Sequence, residues 1–230
     1  MFVVITGASR GIGLEIVKQF LADEETTVLA VSRSSRELNA LKKDNSNLIT
    51  VFGDLTKTTT LNKIFTTVKT KKTQIDVLIN NAGAIANKPF EKISAKELTT
   101  VYKVNVFAPF LLIQKVLPLL GKKNRSHIIN IGSMGGFQGT SKFAGLSAYS
   151  SSKAALAGLT ECLAEEFKDK NISVNCLAIG AVQTEMLSKA FPGYKAPLQP
   201  KQMANYVVEF ALTGHQYFNG KIIPVSSTTP

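Results

Sequence analysis

A chain of 230 residues, 44% apolar and 19% charged, can bury a sizeable core and carries too little charge to stay disordered. Its 27 Lys and Arg against 16 Asp and Glu give a formal charge of +11, yet these cations are dispersed, without alternating aromatics or zinc-finger spacing; this disfavours sequence-specific nucleic-acid binding and favours a basic surface that attracts small anions. Two cysteines (Cys162, Cys176) and two histidines (His127, His215) are too few for a disulfide framework or a metal site, so no metal is expected and a reduced, cytoplasmic setting fits.

The chain opens on an apolar run, residues 2–5, that passes straight into a glycine turn, which reads as a first strand rather than a secretion signal. A helix follows over 11–22, then a strand over 27–31, a helix over 35–43, a strand over 48–52, a helix over 58–70 and a strand over 77–79. A long helix is predicted over 95–119, a strand over 127–131, a helix over 148–168, a strand over 172–176, a helix over 201–212 and a last strand over 221–224. The piece 191–199, with Pro192, Gly193 and Pro197, reads as a loop over one edge. The best apolar run, 106–113, is interrupted by Pro109 and followed by Gln114 and Lys115, so no membrane span is expected.

Near-continuous apolar strands alternating with helices predict an α/β fold, a doubly wound parallel sheet of about seven strands with helices on both faces. Ligands of such a sheet sit outside the carboxyl ends of the strands. The informative residues fall there. After the first strand comes Thr6-Gly7-Ala8-Ser9-Arg10-Gly11-Ile12-Gly13-Leu14, running into a helix. Gly7 permits a tight turn, Gly11 lets the backbone approach a diphosphate, Gly13 allows close helix packing, and the helix start favours negative charge. The same glycines could serve only a compact turn.

The end of the second strand tests for a dinucleotide. An NAD site places a carboxylate there, whereas this chain has Ser32-Arg33-Ser34, and a guanidinium can pair with a 2′-phosphate. That argues for NADP(H), against the alternative of a plain surface arginine. Arg10 either assists or is an exposed helix-start residue. Asp54, followed by Leu55, either meets the adenine ring or caps the next helix. At the same rim, Ser133 follows the fifth strand, and Tyr149 and Lys153 stand four apart at the start of a helix, on one face and roughly 6 Å apart.

In these residues the chain resembles the short-chain dehydrogenase/reductase family over essentially its whole length: the glycine turn, Asn80-Asn81-Ala82-Gly83 after the fourth strand, Asn105, Ser133, and Tyr149 with Lys153, in the family's order. The resemblance implies a single dinucleotide-binding catalytic domain over 1–230, Rossmann-like, with a short substrate-covering segment around 184–200. It implies hydride transfer between a nicotinamide and a carbonyl or alcohol, with an Asn105, Ser133, Tyr149, Lys153 tetrad. Tyr149 would be the general acid and base, and the charge of Lys153 would favour its ionised form and bind the ribose. Ser133 would hold the carbonyl oxygen, and Asn105 a water leading to solvent. Asn81, Ala82 and Gly83 would lie beside the cofactor, Gly180 in the turn after the sixth strand, and Thr184 at the carboxamide.

Some residues depart from the family pattern. Ile179-Gly180 replaces the usual Pro-Gly, the segment after Thr184 is short, Tyr149 follows Ser133 at an interval of sixteen positions, and the carboxyl terminus lacks a glycine pair. The expected pocket wall is Ile85, Met134, Phe143, Ile179, Met186, Leu187 and Phe191, suited to an apolar carbonyl compound. Arg125 and Lys170 lie near positions where acyl-carrier-reducing relatives carry basic residues, which makes a 3-oxoacyl thioester an alternative substrate. The helix with Ala154 to Leu159 is apolar nearly all round and, by the resemblance, forms a homodimer or homotetramer contact with the helix bearing Asn105. A non-catalytic NADP-binding regulator is the remaining alternative.

Overall fold

The seven apolar runs pair into one parallel sheet in the computed structural model, which describes residues 1–34 and 36–226. The strands are β1 (Phe2–Thr6), β2 (Thr27–Ser32), β3 (Leu48–Phe52), β4 (Val77–Asn80), β5 (Ser126–Ile131), β6 (Ile172–Ile179) and β7 (Ile222–Val225), in the order β3-β2-β1-β4-β5-β6-β7. Every neighbouring pair is parallel. All of β1, β4 and β5 is buried, the outcome expected when helices cover both faces. Because β2 and β4 flank β1 on opposite sides, the chain reverses its direction of winding there, and a crevice opens at the carboxyl ends of β1 and β4. The predicted start of the second helix at Ser35 and the chain end at 227–230 lie outside the described residues.

Two apolar layers hold the sheet. On one face α1 (Gly11–Leu21) packs against α8 (Pro200–Thr213), joining Ile16, Val17 and Phe20 to Met203, Val207 and Phe210. Helix α2 (Arg36–Asp44) contributes Leu38 to that layer. On the other, α3 (Thr58–Thr70) supplies Leu61, Ile64 and Val68. The predicted long helix is present over 95–119 but is composite: α4 (Ala95–Tyr102), a π-helical turn at Lys103–Phe107, α5 (Ala108–Val116) and a closing 3₁₀ turn. A capping box between Ser94 and Glu97 starts it. By length and composition alone this helix would pass for a membrane span, as core helices also do; here it packs on α3 and on α6 (Ser147–Glu166).

Beyond β6, which runs three residues further than predicted, a short helix α7 (Glu185–Ala190) occupies chain to which the sequence assigned no element. Thr184 caps it, its hydroxyl accepting from Leu187 N at 3.2 Å. The segment 191–199 is not a free loop. It doubles back so that Gln183 N donates to Leu198 O at 2.8 Å and Ala196 N to Gln183 Oε1 at 2.8 Å.

Asparagines and a histidine inside this core are paired. Asn80 Nδ2 donates to Asn130 Oδ1 (2.8 Å) and Asn130 Nδ2 to Thr160 Oγ1 (2.9 Å), tying β4, β5 and α6. At the amino ends of the strands, His127 is 1% exposed, its Nδ1 on Ala211 O at 3.1 Å and its Nε2 on Asn175 Nδ2 at 3.0 Å. A carbonyl at one nitrogen and an amide NH₂ at the other select the neutral tautomer protonated at Nδ1. Burial pushes its pKa down to about 4. The unfolded chain therefore takes up a proton near pH 6.5 that the folded chain refuses until about 4. We expect stability to fall by on the order of 3 kcal/mol as pH drops from about 6.5 to 4, and His127→Gln to flatten that slope, measured by urea unfolding against pH.

Candidate active site

The crevice is fastened by side chains from both of its strands. Thr6 Oγ1 accepts from Asn81 N and Ala82 N, each at 3.1 Å, while Asn81 Nδ2 donates to Thr6 O and Gly7 O, each at 3.1 Å. Gly7 (φ 66°) and Gly11 (φ 55°) adopt the left-handed backbone that a side chain disfavours. A Cβ on Gly13 would stand 2.3 Å from Gly7 O and 2.4 Å from Asn81 Nδ2, so α1 can start this close to β1 only with glycine there. Above Gly11 the nearest atom to such a Cβ is Thr184 Cγ2 at 3.5 Å, which leaves the backbone open to an approaching ligand. No side chain caps α1, so its first amides are available to an anion. Ser9 is half-buried, and Ile12 turns into the core, leaving only its backbone toward the cleft. This cradle fits a dinucleotide diphosphate.

The ends of β2 and β3 lie side by side, with Gly53 N donating to Ser32 O at 2.9 Å. The Ser32 hydroxyl is turned to Ser34 O, and Arg33 is exposed. Asp54 does not cap α3; Lys57 holds that position. Instead Asp54 Oδ1 accepts from Thr56 N and Thr56 Oγ1, both at 2.9 Å, and these bonds, helped by nearby Arg33, hold its carboxyl below the ordinary range. Leu55 lines a small cleft with Thr6 and Ala82. Arg10 has a partner that sequence could not reveal: Nη1 meets Glu185 Oε2 at 2.6 Å, joining the glycine turn to α7.

The other half of the rim is built by β5, α6 and the π-helical turn. Ser133 follows β5 and its Oγ accepts from Gly135 N at 3.2 Å, starting a 3₁₀ turn on which α6 rests. Tyr149 sits in the first turn of α6 and Lys153 one turn later, Nζ 5.9 Å from the tyrosine ring centroid. Lys153 is 5% exposed and donates to Ile131 O at 2.7 Å. Asn105, fully buried, bonds Ala84 through both its donor (2.9 Å to Ala84 O) and its acceptor (2.8 Å from Ala84 N), and its Nδ2 also reaches Ser152 Oγ at 2.9 Å. Gly83 marks where they meet: a Cβ on it would lie 3.7 Å from Asn105 Oδ1, 3.8 Å from Lys153 Nζ and 3.8 Å from Met186 Cε. Ser152, unremarked in the sequence, is thus the link between Asn105 and α6.

Burial raises the Tyr149 phenol above its ordinary value, and a hydrogen bond with Ser133 opposes the rise. Burial also brings Lys153 down to about 8. Within the site, Ser133 eases ionisation of the phenol, and Lys153 Nζ is anchored on Ile131 O. At neutral pH the phenol is a protonated donor beside a hydroxyl able to hold a carbonyl oxygen.

The seven expected wall residues, Ile85, Met134, Phe143, Ile179, Met186, Leu187 and Phe191, are all half-buried, and Ile179 packs against the core. In the turn after β6, Gly180 N bonds Val225 O at 2.9 Å, and a Cβ there would stand 2.2 Å from Ser226 Oγ. Arg125 stands directly before β5 and Lys170 two residues before β6, at the opposite, amino-end rim, where Arg125 Nη1 donates to Ser173 Oγ at 3.2 Å. A cavity of about 360 Å³ also opens at that far rim, between Met1, Lys71 and Asp76, and includes none of the predicted site residues.

The short chain dehydrogenase family profile matches residues 1–195. Among characterised proteins, the chain is 31% identical over 238 residues to the 3-oxoacyl-[acyl-carrier-protein] reductase of Aquifex aeolicus, covering 97% of this chain and 94% of that reductase. It is 34% identical over 215 residues to a ketoacyl reductase of Nostoc sp., covering 90% and 74%. Its fold matches a 4-hydroxyisoleucine dehydrogenase mutant complexed with NADH and succinate at TM-score 0.88 and 27% identity, covering 98% and 96% of the two chains. It also matches L-sorbose reductase of Gluconobacter frateurii complexed with NADPH and L-sorbose at TM-score 0.86 and 25% identity, covering 99% and 95%.

Because Gly13 is packed against Gly7 and Asn81, Gly13→Ala is expected to destabilise the protein by about 1–3 kcal/mol, the range of overpacked interiors, as read by thermal unfolding. An unchanged melting curve would show that the turn yields freely.

Proposed function

This chain belongs to the short-chain dehydrogenase family of oxidoreductases, enzymes acting on a CH–OH or C=O group, and on that premise we propose that it is one catalytic domain reducing a carbonyl compound with NADPH, Tyr149 being the general acid and base. The observation that carries this reading is the meeting of Ser133, Tyr149, Lys153 and Asn105 beside the uncapped start of α1. When bound, the reduced nicotinamide supplies the hydride.

The chain's own residues do the rest. Ser133 donates to the carbonyl oxygen and stabilises its developing charge. Tyr149, kept protonated by burial, delivers a proton to that oxygen. Lys153, charged below pH about 8, holds the ribose and stabilises the phenolate left behind. Asn105 holds a water that leads from Lys153 to solvent. Gly7, Ser9, Arg10, Gly11, Ile12 and Gly13 receive the diphosphate, Asp54 and Leu55 the adenine, and Asn81, Ala82, Gly83, Gly180 and Thr184 the nicotinamide half. Ser32 and Arg33 take the 2′-phosphate. The fold itself is neutral on this last point, since one structural neighbour holds NADH and another NADPH.

A 3-oxoacyl thioester is the favoured substrate within this class, supported by the names of the two reductases similar in sequence. A homodimer or homotetramer is supported by the exposed Leu98, Phe107, Phe110 and Leu111 on α4, the π-helical turn and α5, with Ala154 uncovered on the neighbouring α6. A cytoplasmic setting is supported by two free thiols, Cys162 and Cys176.

Steady-state assays with NADPH and NADH across ketones, aldehydes and 3-oxoacyl thioesters test this reading. NADPH is expected to be preferred, and Arg33→Asp to lower the NADPH:NADH ratio of kcat/KM by about ten- to hundredfold, the worth of a charged hydrogen bond; preference for NADH in the wild type would reverse the cofactor assignment. Tyr149→Phe should lose about 10²–10⁴-fold in kcat while NADPH binding persists by fluorescence. Sedimentation should show Phe110→Lys shifted toward monomer.

A further inference from the structure

Three segments that wall the cleft come together at one exposed side chain which the catalytic reading leaves unused. Asn87, in the stretch leaving β4, donates from Nδ2 to Ala190 O at the end of α7 at 2.5 Å. Its Oδ1 lies against Gly145, in the stretch entering α6: a Cβ on Gly145 would stand 2.1 Å from it. Gly145 is in the left-handed region (φ 84°), and its carbonyl accepts from Lys88 N at 3.0 Å. Alongside, the rings of Phe143 and Phe191 meet edge to face with centroids 6.2 Å apart.

We propose that Asn87 is a specificity-determining residue, whose hydrogen bond to Ala190 and packing against Gly145 close the outer end of the substrate cleft and limit the length of the substituent the site accepts. The inference rests on the carbonyl-reductase reading given above. With the reacting oxygen fixed at Ser133 and Tyr149, a substituent extends between Ile85 and Met186, which belong to two of the three joined segments. To go further it must pass the Phe143–Phe191 contact and the Asn87 bridge. That bridge is a side chain open to water, which competes for its hydrogen bond. It therefore acts as a gate that long substrates open at a penalty, where a packed wall would exclude them.

The test is kcat/KM with NADPH for straight-chain methyl ketones and 3-oxoacyl thioesters of increasing length. The wild type should favour short members. Asn87→Ala should raise the long-to-short ratio about tenfold, mostly through KM, as expected for loss of one hydrogen-bonded tie. Asn87→Asp, which keeps the shape but loses the donor, should do the same. Gly145→Ala, which displaces the Asn87 carbonyl, should shift the profile in the same direction, and the double variant should go no further than Asn87→Ala alone. An unchanged length profile in Asn87→Ala, or an equal fall at every length, overturns the proposal while leaving the reductase reading intact. A wild type inactive with every member overturns both.

Discussion

The mutual hydrogen bonding of Thr6 and Asn81 is the constraint on which the site depends. Parallel strands bring all their carboxyl ends to one rim, but the rim becomes a crevice only where winding reverses, between β1 and β4. There Thr6 Oγ1 accepts two backbone amides and Asn81 returns two bonds to the backbone of Thr6 and Gly7. Four bonds thereby fix the glycine turn against the Ala82-Gly83 stretch. The first element presents open amides to an anion; the second lies beside Asn105 and Lys153.

A second layer of polar contacts sets α6. Asn130 reaches Thr160 from within the sheet, Ser152 meets Asn105, and Lys153 meets Ile131 O. Each of these groups is buried, so leaving one unpaired would cost the desolvation of that group, about 1–3 kcal/mol. Such contacts orient the helix more sharply than apolar packing does, because they have direction. Tyr149 and Lys153 inherit that orientation, and the same burial accounts for the raised phenol and the lowered amine.

Much of this arrangement was legible in the sequence. Apolar runs located all seven strands, and Gly7, Gly11 and Gly13 announced the turn, because those patterns report local backbone demands. The four-residue spacing of Tyr149 and Lys153 placed them on one helix face. What escaped was long-range or small. Arg10 finds Glu185, 175 positions away, and no local pattern announces that pairing. Helix α7 has six residues, too few for a period to declare itself, although Thr184 followed by Glu185 is a readable start. Asp54 turned out to bend its own loop, since an aspartate two residues before a threonine can serve the backbone locally as well as cap a helix.

The π-helical turn at Lys103–Phe107 was the least visible feature, since apolar spacing reads through one surplus residue without a break. It is also a point of genetic vulnerability. Loss of a single in-frame codon there would let the segment relax into an ordinary helix and swing Asn105 by roughly 100° about the axis. A lineage could in this way lose the Asn105 bonds to Ala84 and Ser152 in one mutational event while inheriting a nearly intact scaffold.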